Sequence, residues 1–106
     1  MAKYLLLYGA GKMGATEAEQ QALMAAWTAW FTQIGDALVD PGNPTTQNAK
    51  TIASNGTVSD ITNGMIPGGY SIVKADSMDA AVAIAKGCPV LQGGSNLMVF
   101  ETFDVM

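Results

Sequence analysis

The chain of 106 residues contains no histidine and no arginine, a single cysteine, and five cations that are all lysine: Lys3, Lys12, Lys50, Lys74 and Lys86. Each shortage excludes something. Without arginine there is no planar fork to grip a phosphate or a guanine edge. Five scattered lysines under a net charge of −4 form no basic stripe, so no nucleic-acid partner is expected. The lone Cys88 forms no disulfide within the chain and suits a reducing compartment. One cysteine with no histidine cannot build a zinc site, and no acidic cluster suggests a carboxylate one, so neither metal nor cofactor is expected. Acid–base chemistry near neutral pH would fall to a perturbed carboxylate or lysine. No apolar run approaches membrane-spanning length and no cation-led leader is recognisable, so a cytoplasmic location away from the membrane is expected. Charge itself is scarce: 13% of residues are charged against 49% apolar. For a single small domain over 1–106, that balance predicts association through an apolar face.

What is present is clear punctuation. Lys3–Tyr8 reads as a buried strand and Gly9–Ala15 as a flexible connection. Thr16-Glu17-Ala18-Glu19 has capping-box spacing and opens a helix whose apolar face is Leu23, Trp27, Trp30, Phe31 and Ile34, ending at Gly35. A brief strand over Ala37–Val39 runs into Asp40-Pro41-Gly42-Asn43-Pro44, a stiff irregular loop. Lys50–Ala53 and Thr57–Ile61 flank Ser54-Asn55-Gly56 as a hairpin. After a turn over Thr62–Gly69, Tyr70–Ala75 is a strand. Asp76 or Ser77 caps a second helix with the stripe Met78, Ala81, Val82, Ala85, and Gly87-Cys88-Pro89 ends it. A glycine-rich turn over Gln92–Asn96 leads to a last strand, Leu97–Phe103. The order is β-α-β, an inserted hairpin, then β-α-β, giving an antiparallel sheet with two helices on one face. The other face is left open, and pairing two sheets face to face would bury it.

Gly9-Ala10-Gly11-Lys12-Met13-Gly14 is a literal G-x-G-x-x-G after a strand, with Asp40 ending a second strand. Three arguments oppose a dinucleotide. The helix signal begins at Thr16, beyond the glycines, whereas a pyrophosphate needs the free amides of a helix starting within them. Glu17 and Glu19 occupy the first turn and would repel it. Further along, the Asn-Gly hairpin brings antiparallel chemistry where parallel strands are required. The glycines read as a hinge.

Three segments carry a resemblance: Lys3-Tyr-Leu-Leu-Leu-Tyr8, "AWFTQIGDALVDPGNP" over Ala29–Pro44, and "GGYSIVKADSMDAAVAIAKGCPVL" over Gly68–Leu91. In this order they are similar to the YCII-related family, which includes the DGPF-domain proteins. The resemblance implies a ferredoxin-like βαββαβ fold that pairs as a dimeric α/β barrel. It also exposes departures. Relatives carry a histidine on the first helix, proposed as part of a catalytic dyad; the corresponding position lies near Met24. Asn63-Gly64-Met65-Ile66 stands where Asp-Gly-Pro-Phe would, and Glu101-Thr102-Phe103 replaces an Arg-Pro ending. Chemistry that relatives perform through imidazole is closed to this chain.

The candidate site follows from what remains. Trp27, Asp40, Asn43 and Tyr70 are expected to bind a small, largely apolar ligand between the sheet and the first helix. Asp40 is the best candidate acid or base, and its other reading is a turn residue bonding nearby amides. Trp27 and Trp30, at i and i+3, read first as ordinary core anchors of an amphipathic helix. Alternation in the last strand puts Glu101 on one face with Val99 and Phe103, buried if that face is the dimer interface and solvated if it is the rim. Three functions stay open: a ligand-binding homodimer, an enzyme using Asp40 on a small carbonyl or lactone, and a regulatory dimer acting through protein contacts.

Overall fold

The computed structural model describes residues 1–9, 16–46, 48–61, 67–92 and 94–104. The elements are β1 (Ala2–Gly9), α1 (Glu17–Ile34), a 3-10 turn (Gly35–Ala37), β2 (Leu38–Asp40), β3 (Lys50–Ile52), β4 (Val58–Asp60), β5 (Pro67–Ala75), α2 (Met78–Ala85), α3 (Pro89–Gln92) and β6 (Leu97–Glu101). Four strands form one sheet in the order β2-β5-β1-β6, every pairing antiparallel, and β3 and β4 form a separate two-stranded hairpin. The βαββαβ order with an inserted hairpin is therefore the architecture.

Register decides which side chains meet. Tyr4, Leu6 and Tyr8 of β1 stand opposite or beside Val73 and Ser71 of β5 and Val99 and Leu97 of β6, and these face the helices. Leu5 and Leu7 stand opposite Ile72 and Tyr70 on one side and Phe100 and Met98 on the other, on the helix-free face. A pleated strand alternates faces residue by residue, so the two sets cannot mix.

Helix α1 begins as expected: Thr16 is the N-cap, and its Oγ1 accepts a hydrogen bond from Glu19 N at 3.1 Å. It ends at Gly35, whose φ of 55° is comfortable only for glycine. Of the expected apolar face only Trp30 is fully buried; Leu23, Trp27, Phe31 and Ile34 are partly exposed. Helix α2 is capped by Ser77, which accepts from Ala80 N at 3.1 Å. It presents Ala81 and Ala85 to the sheet, while Met78 turns outward at 41% exposure, so the expected stripe is rotated.

Several boundaries differ from the sequence reading: the last strand ends at Glu101 rather than Phe103, the hairpin strands are shortened to Lys50–Ile52 and Val58–Asp60, and β1 is extended to Ala2–Gly9. The second strand is Leu38–Asp40, because the residues before it close a 3-10 turn on Gly35. β5 starts at Pro67, since β1 and the Asn43–Thr45 loop both pair with its first residues. A short turn of helix, Pro89–Gln92, follows α2, with proline at a first helical position where its missing N–H costs nothing. The glycine hinge beyond Gly9, the Thr62–Ile66 part of the turn before β5 with its Asn63–Ile66 segment, and Gly93 lie outside the described residues.

Candidate functional site

An aromatic layer fills the space between β1 and α1. The Tyr8 and Trp27 rings meet edge-on, centroids 5.0 Å apart and planes at 75°. Trp27 also contacts Trp30 at 5.8 Å and Phe31 at 5.7 Å. Such tilted geometries match the ring quadrupoles and add to the area buried. Helical spacing places Trp27, Trp30 and Phe31 on one face, and strand parity aims Tyr8 at them.

Beneath this layer is a small buried polar set. The Tyr8 hydroxyl is buried with no hydrogen-bond partner among the described residues. Ser71, fully buried beside it, donates its own proton to the Pro41 carbonyl at 2.7 Å and ties the Asp40–Pro44 loop to β5. Burial pushes the Tyr8 phenol far above its ordinary range; the Ser71 hydroxyl, close by but outside hydrogen-bond geometry, offsets part of that, and the Cys88 thiol adds to it. A buried phenol without a partner forfeits the hydrogen bond it made to water, a cost of roughly 1–3 kcal/mol. Natural structures rarely leave such a group unpaired without a reason.

Cys88 lies 1% exposed at the end of α2, and burial raises its thiol from 9.0 to about 11, with a backbone hydrogen bond from Val90 offsetting part. It is therefore a poor nucleophile. Native protein should not react with a disulfide thiol reagent near neutral pH, and should react fully once denatured. The raised pKa also sets a sign. Stability contributed by the neutral thiol is complete below pH 9.0 and fades as pH rises through about 11, with Tyr8 shifting the same way. Melting temperatures should fall across that window, and a flat profile would refute the burial argument.

The Asp40–Pro44 loop forms the rim. Asp40 Oδ1 accepts from Gly42 N at 2.8 Å, the turn role weighed for it above. The Asn43 carbonyl accepts from Tyr70 N at 3.3 Å, and Pro44 bridges to Gly69. Asp40, Asn43 and the Tyr70 backbone are thus gathered around one turn. The Tyr70 ring, opposite Leu7, belongs to the helix-free face, whereas Trp27 is held in the helix-side layer. The four expected ligand residues do not line a single pocket.

Two open grooves lie on the helix side instead. One of about 330 Å³ runs between α1 and α2 over Trp30, Ile34, Ala83 and Gly87. The other, about 470 Å³, is lined by Met1, Asp36, Lys74 and Asp76, among others. None of the four ligand candidates lines either groove. Glu101 stands opposite Tyr4 on the helix side and is exposed. The Tyr4 phenol is raised by burial first, then by the Glu101 charge and by its hydrogen bond to that carboxylate. Among the described residues, no group of three or more His, Cys, Asp or Glu could hold a metal ion, and no helix is long and apolar enough to cross a membrane.

No family model matches the chain, and no curated protein matches it. A solved structure does. It is the 5-chloro-2-hydroxyhydroquinone dehydrochlorinase TftG from Burkholderia phenoliruptrix AC1100, in complex with 2,5-dihydroxybenzoquinone. The TM-score is 0.55 at 19% identity, over 95% of this chain and 93% of that one. The likeness is one of fold. It extends over nearly the whole chain and agrees with the fold implied by the YCII-related resemblance.

Proposed function

We propose that this chain is a homodimeric α/β-barrel protein of YCII-related type that binds a small, planar, largely apolar ligand between the sheet and the first helix. The carrying observation is the Tyr8 hydroxyl, buried under the Trp27 ring without a partner among the described residues. An oxygen-bearing ring sliding in under α1 would supply the missing hydrogen bond and stack among aromatics. The first half of α1 favours entry, because Leu23, Ala26 and Trp27 remain partly exposed over the sheet. Asp40 and Asn43 hold the rim, and the Tyr70 backbone fixes that rim in place. Dimerisation is supported by the helix-free face, where Leu5, Leu7, Ile72, Met98 and Phe100 form an apolar surface with Phe100 46% exposed.

The test is a titration with 2,5-dihydroxybenzoquinone, simple phenols and apolar analogues of similar size, following tryptophan fluorescence and melting temperature. Binding should quench Trp27 and raise stability by about 2.7 kcal/mol at a hundredfold excess over Kd. Tyr8→Phe should weaken oxygenated ligands roughly tenfold and leave apolar ones unchanged. A chain indifferent to the whole panel would end this reading.

The rival reading makes Asp40 an acid or base on a small carbonyl or lactone, and the fold shared with a dehydrochlorinase favours it. Asp40→Asn separates the two: an enzyme would lose turnover, while a binding protein would keep most of its affinity.

A further inference from the structure

We propose that the β3–β4 hairpin is a dimerisation arm that lies across a second copy of this chain and seats Ile52 and Val58 against it. The inference rests on the face-to-face pairing proposed above and adds a surface to it.

The hairpin does not belong to the body of the subunit. Its substantial contacts are internal: Lys50, Thr51 and Ile52 pair with Asp60, Ser59 and Val58, and every one of these six residues is exposed. Ile52 and Val58 stand directly opposite each other, 71% and 58% exposed, so two large apolar side chains share one uncovered patch. A lone two-stranded hairpin is marginal in water, and this one has only three paired residues on each strand. Its turn is nonetheless well specified. Gly56 takes a φ of 91°, Gly56 N donates to the Ala53 carbonyl at 2.8 Å, and Asn55 Oδ1 accepts from Thr57 N at 3.0 Å. A turn so well defined, on strands whose six paired residues are all exposed, fits an arm with a partner.

Geometry and area point to a second copy as that partner. The loop from β2 keeps pairing along β5 through Asn43, Pro44 and Thr45, so the chain leaves the sheet near the start of β5 before β3 begins. On the sheet face Leu5, Leu7 and Ile72 are partly buried and Met98 and Phe100 are 37% and 46% exposed, so at about 200 Å² for a large apolar side chain they offer under about 400 Å² of accessible surface in all. A stable interface buries about 800 Å² per partner, so the sheet face alone falls short and an arm reaching over the copy makes up area. Charge permits it. Lys50 pairs with Asp60 across the hairpin, so the arm brings no net charge to a partner that carries −4.

The experiment measures the dimer dissociation constant by light scattering and sedimentation for the wild type, Ile52→Ser/Val58→Ser and Phe100→Asp. Both arm residues are solvent-exposed in the subunit, so the double variant should fold normally. If the arm clasps the copy, the double variant dissociates at least about tenfold more readily. Hydrogen exchange at the β3–β4 amides should also slow as wild-type concentration rises through the dissociation constant. A dimer that Phe100→Asp breaks and the arm variant leaves within twofold overturns the arm and keeps the sheet pairing. The reverse pattern, broken by the arm variant and intact with Phe100→Asp, sinks the sheet pairing and keeps the arm. A wild type that stays monomeric at micromolar concentration overturns both.

Discussion

Gly42→Ala should destabilise the protein by about 3 kcal/mol or more, lowering the melting temperature by upwards of about 12 °C. Gly42 sits at a φ of 70°, and a Cβ built there would lie 1.8 Å from the Tyr70 carbonyl oxygen and 2.7 Å from its carbon. Both are backbone atoms of a central strand, so no side chain can swing aside to admit the methyl. The loop must move instead, at the expense of the Asp40–Gly42 and Asn43–Tyr70 hydrogen bonds. Gly56→Ala is the control that separates the two costs. Gly56 has a φ of 91° with nothing within 4 Å, so it should lose only the left-handed backbone penalty, about 1–2 kcal/mol. Equal losses at the two sites would show that close approach to Tyr70 is not what fixes Gly42. Because the same turn places Asp40 and Asn43, Gly42→Ala should also abolish ligand response at temperatures where the variant is still folded.

That turn shows what could be read from the sequence and what could not. Asp-Pro-Gly-Asn-Pro announces a rigid loop through side-chain chemistry alone, and Asp40 does bond its own turn. Thr16 and Gly35 bracket α1 because capping needs are local. The hairpin around Asn55-Gly56 is equally local. The ligand residues were a different matter. Grouping Tyr70 with Trp27 required knowing which way each strand residue points, and parity reverses with every single residue. Tyr70 falls on the helix-free side and its neighbour Ser71 on the helix side only because β5 pairs Leu6 with Ser71. A bulge at Leu38–Asp40, where the register shifts against β5, adds a second ambiguity that no sequence spacing encodes.

Tyr8 was within reach but not found. Its strand alternates Tyr4, Leu6 and Tyr8 on one face, which identifies three core positions. That pattern cannot tell that the third carries a hydroxyl unpartnered among the described residues, because pairing depends on the distances and angles to neighbours that only packing sets. Likewise, the apolar stripe expected of α2 holds at Ala81 and Ala85 and fails at Met78, with Ile84 packed against the core beside them. Ala81 and Ala85 are small enough for the helix to lie close on the sheet, and that close approach rotates Met78 to the outside. Propensity and periodicity locate elements; only packing decides rotation.

Trp30→Ala should cost about 3–5 kcal/mol, the range for emptying a large aromatic from a core. Trp30 is the only fully buried residue of α1 and is 3% exposed. It packs on Trp27 and Phe31, and its indole nitrogen donates to the Ile84 carbonyl at 3.3 Å, linking α1 to α2. Gly87 is fitted against it: a Cβ there would meet the indole nitrogen at 3.2 Å. A domain of this size has about 5–15 kcal/mol in total, so removing one side chain would consume about a fifth of it or more. Trp30→Phe keeps most of the ring and loses the donor, and should cost about 1–2 kcal/mol, chiefly from the Ile84 carbonyl left short of a partner. The ratio between the two variants is the informative quantity. If Trp30→Phe were as damaging as Trp30→Ala, the hydrogen bond rather than the buried ring would hold α1 on the sheet. The aromatic layer over Tyr8 would then be too loose a roof to keep its hydroxyl dry.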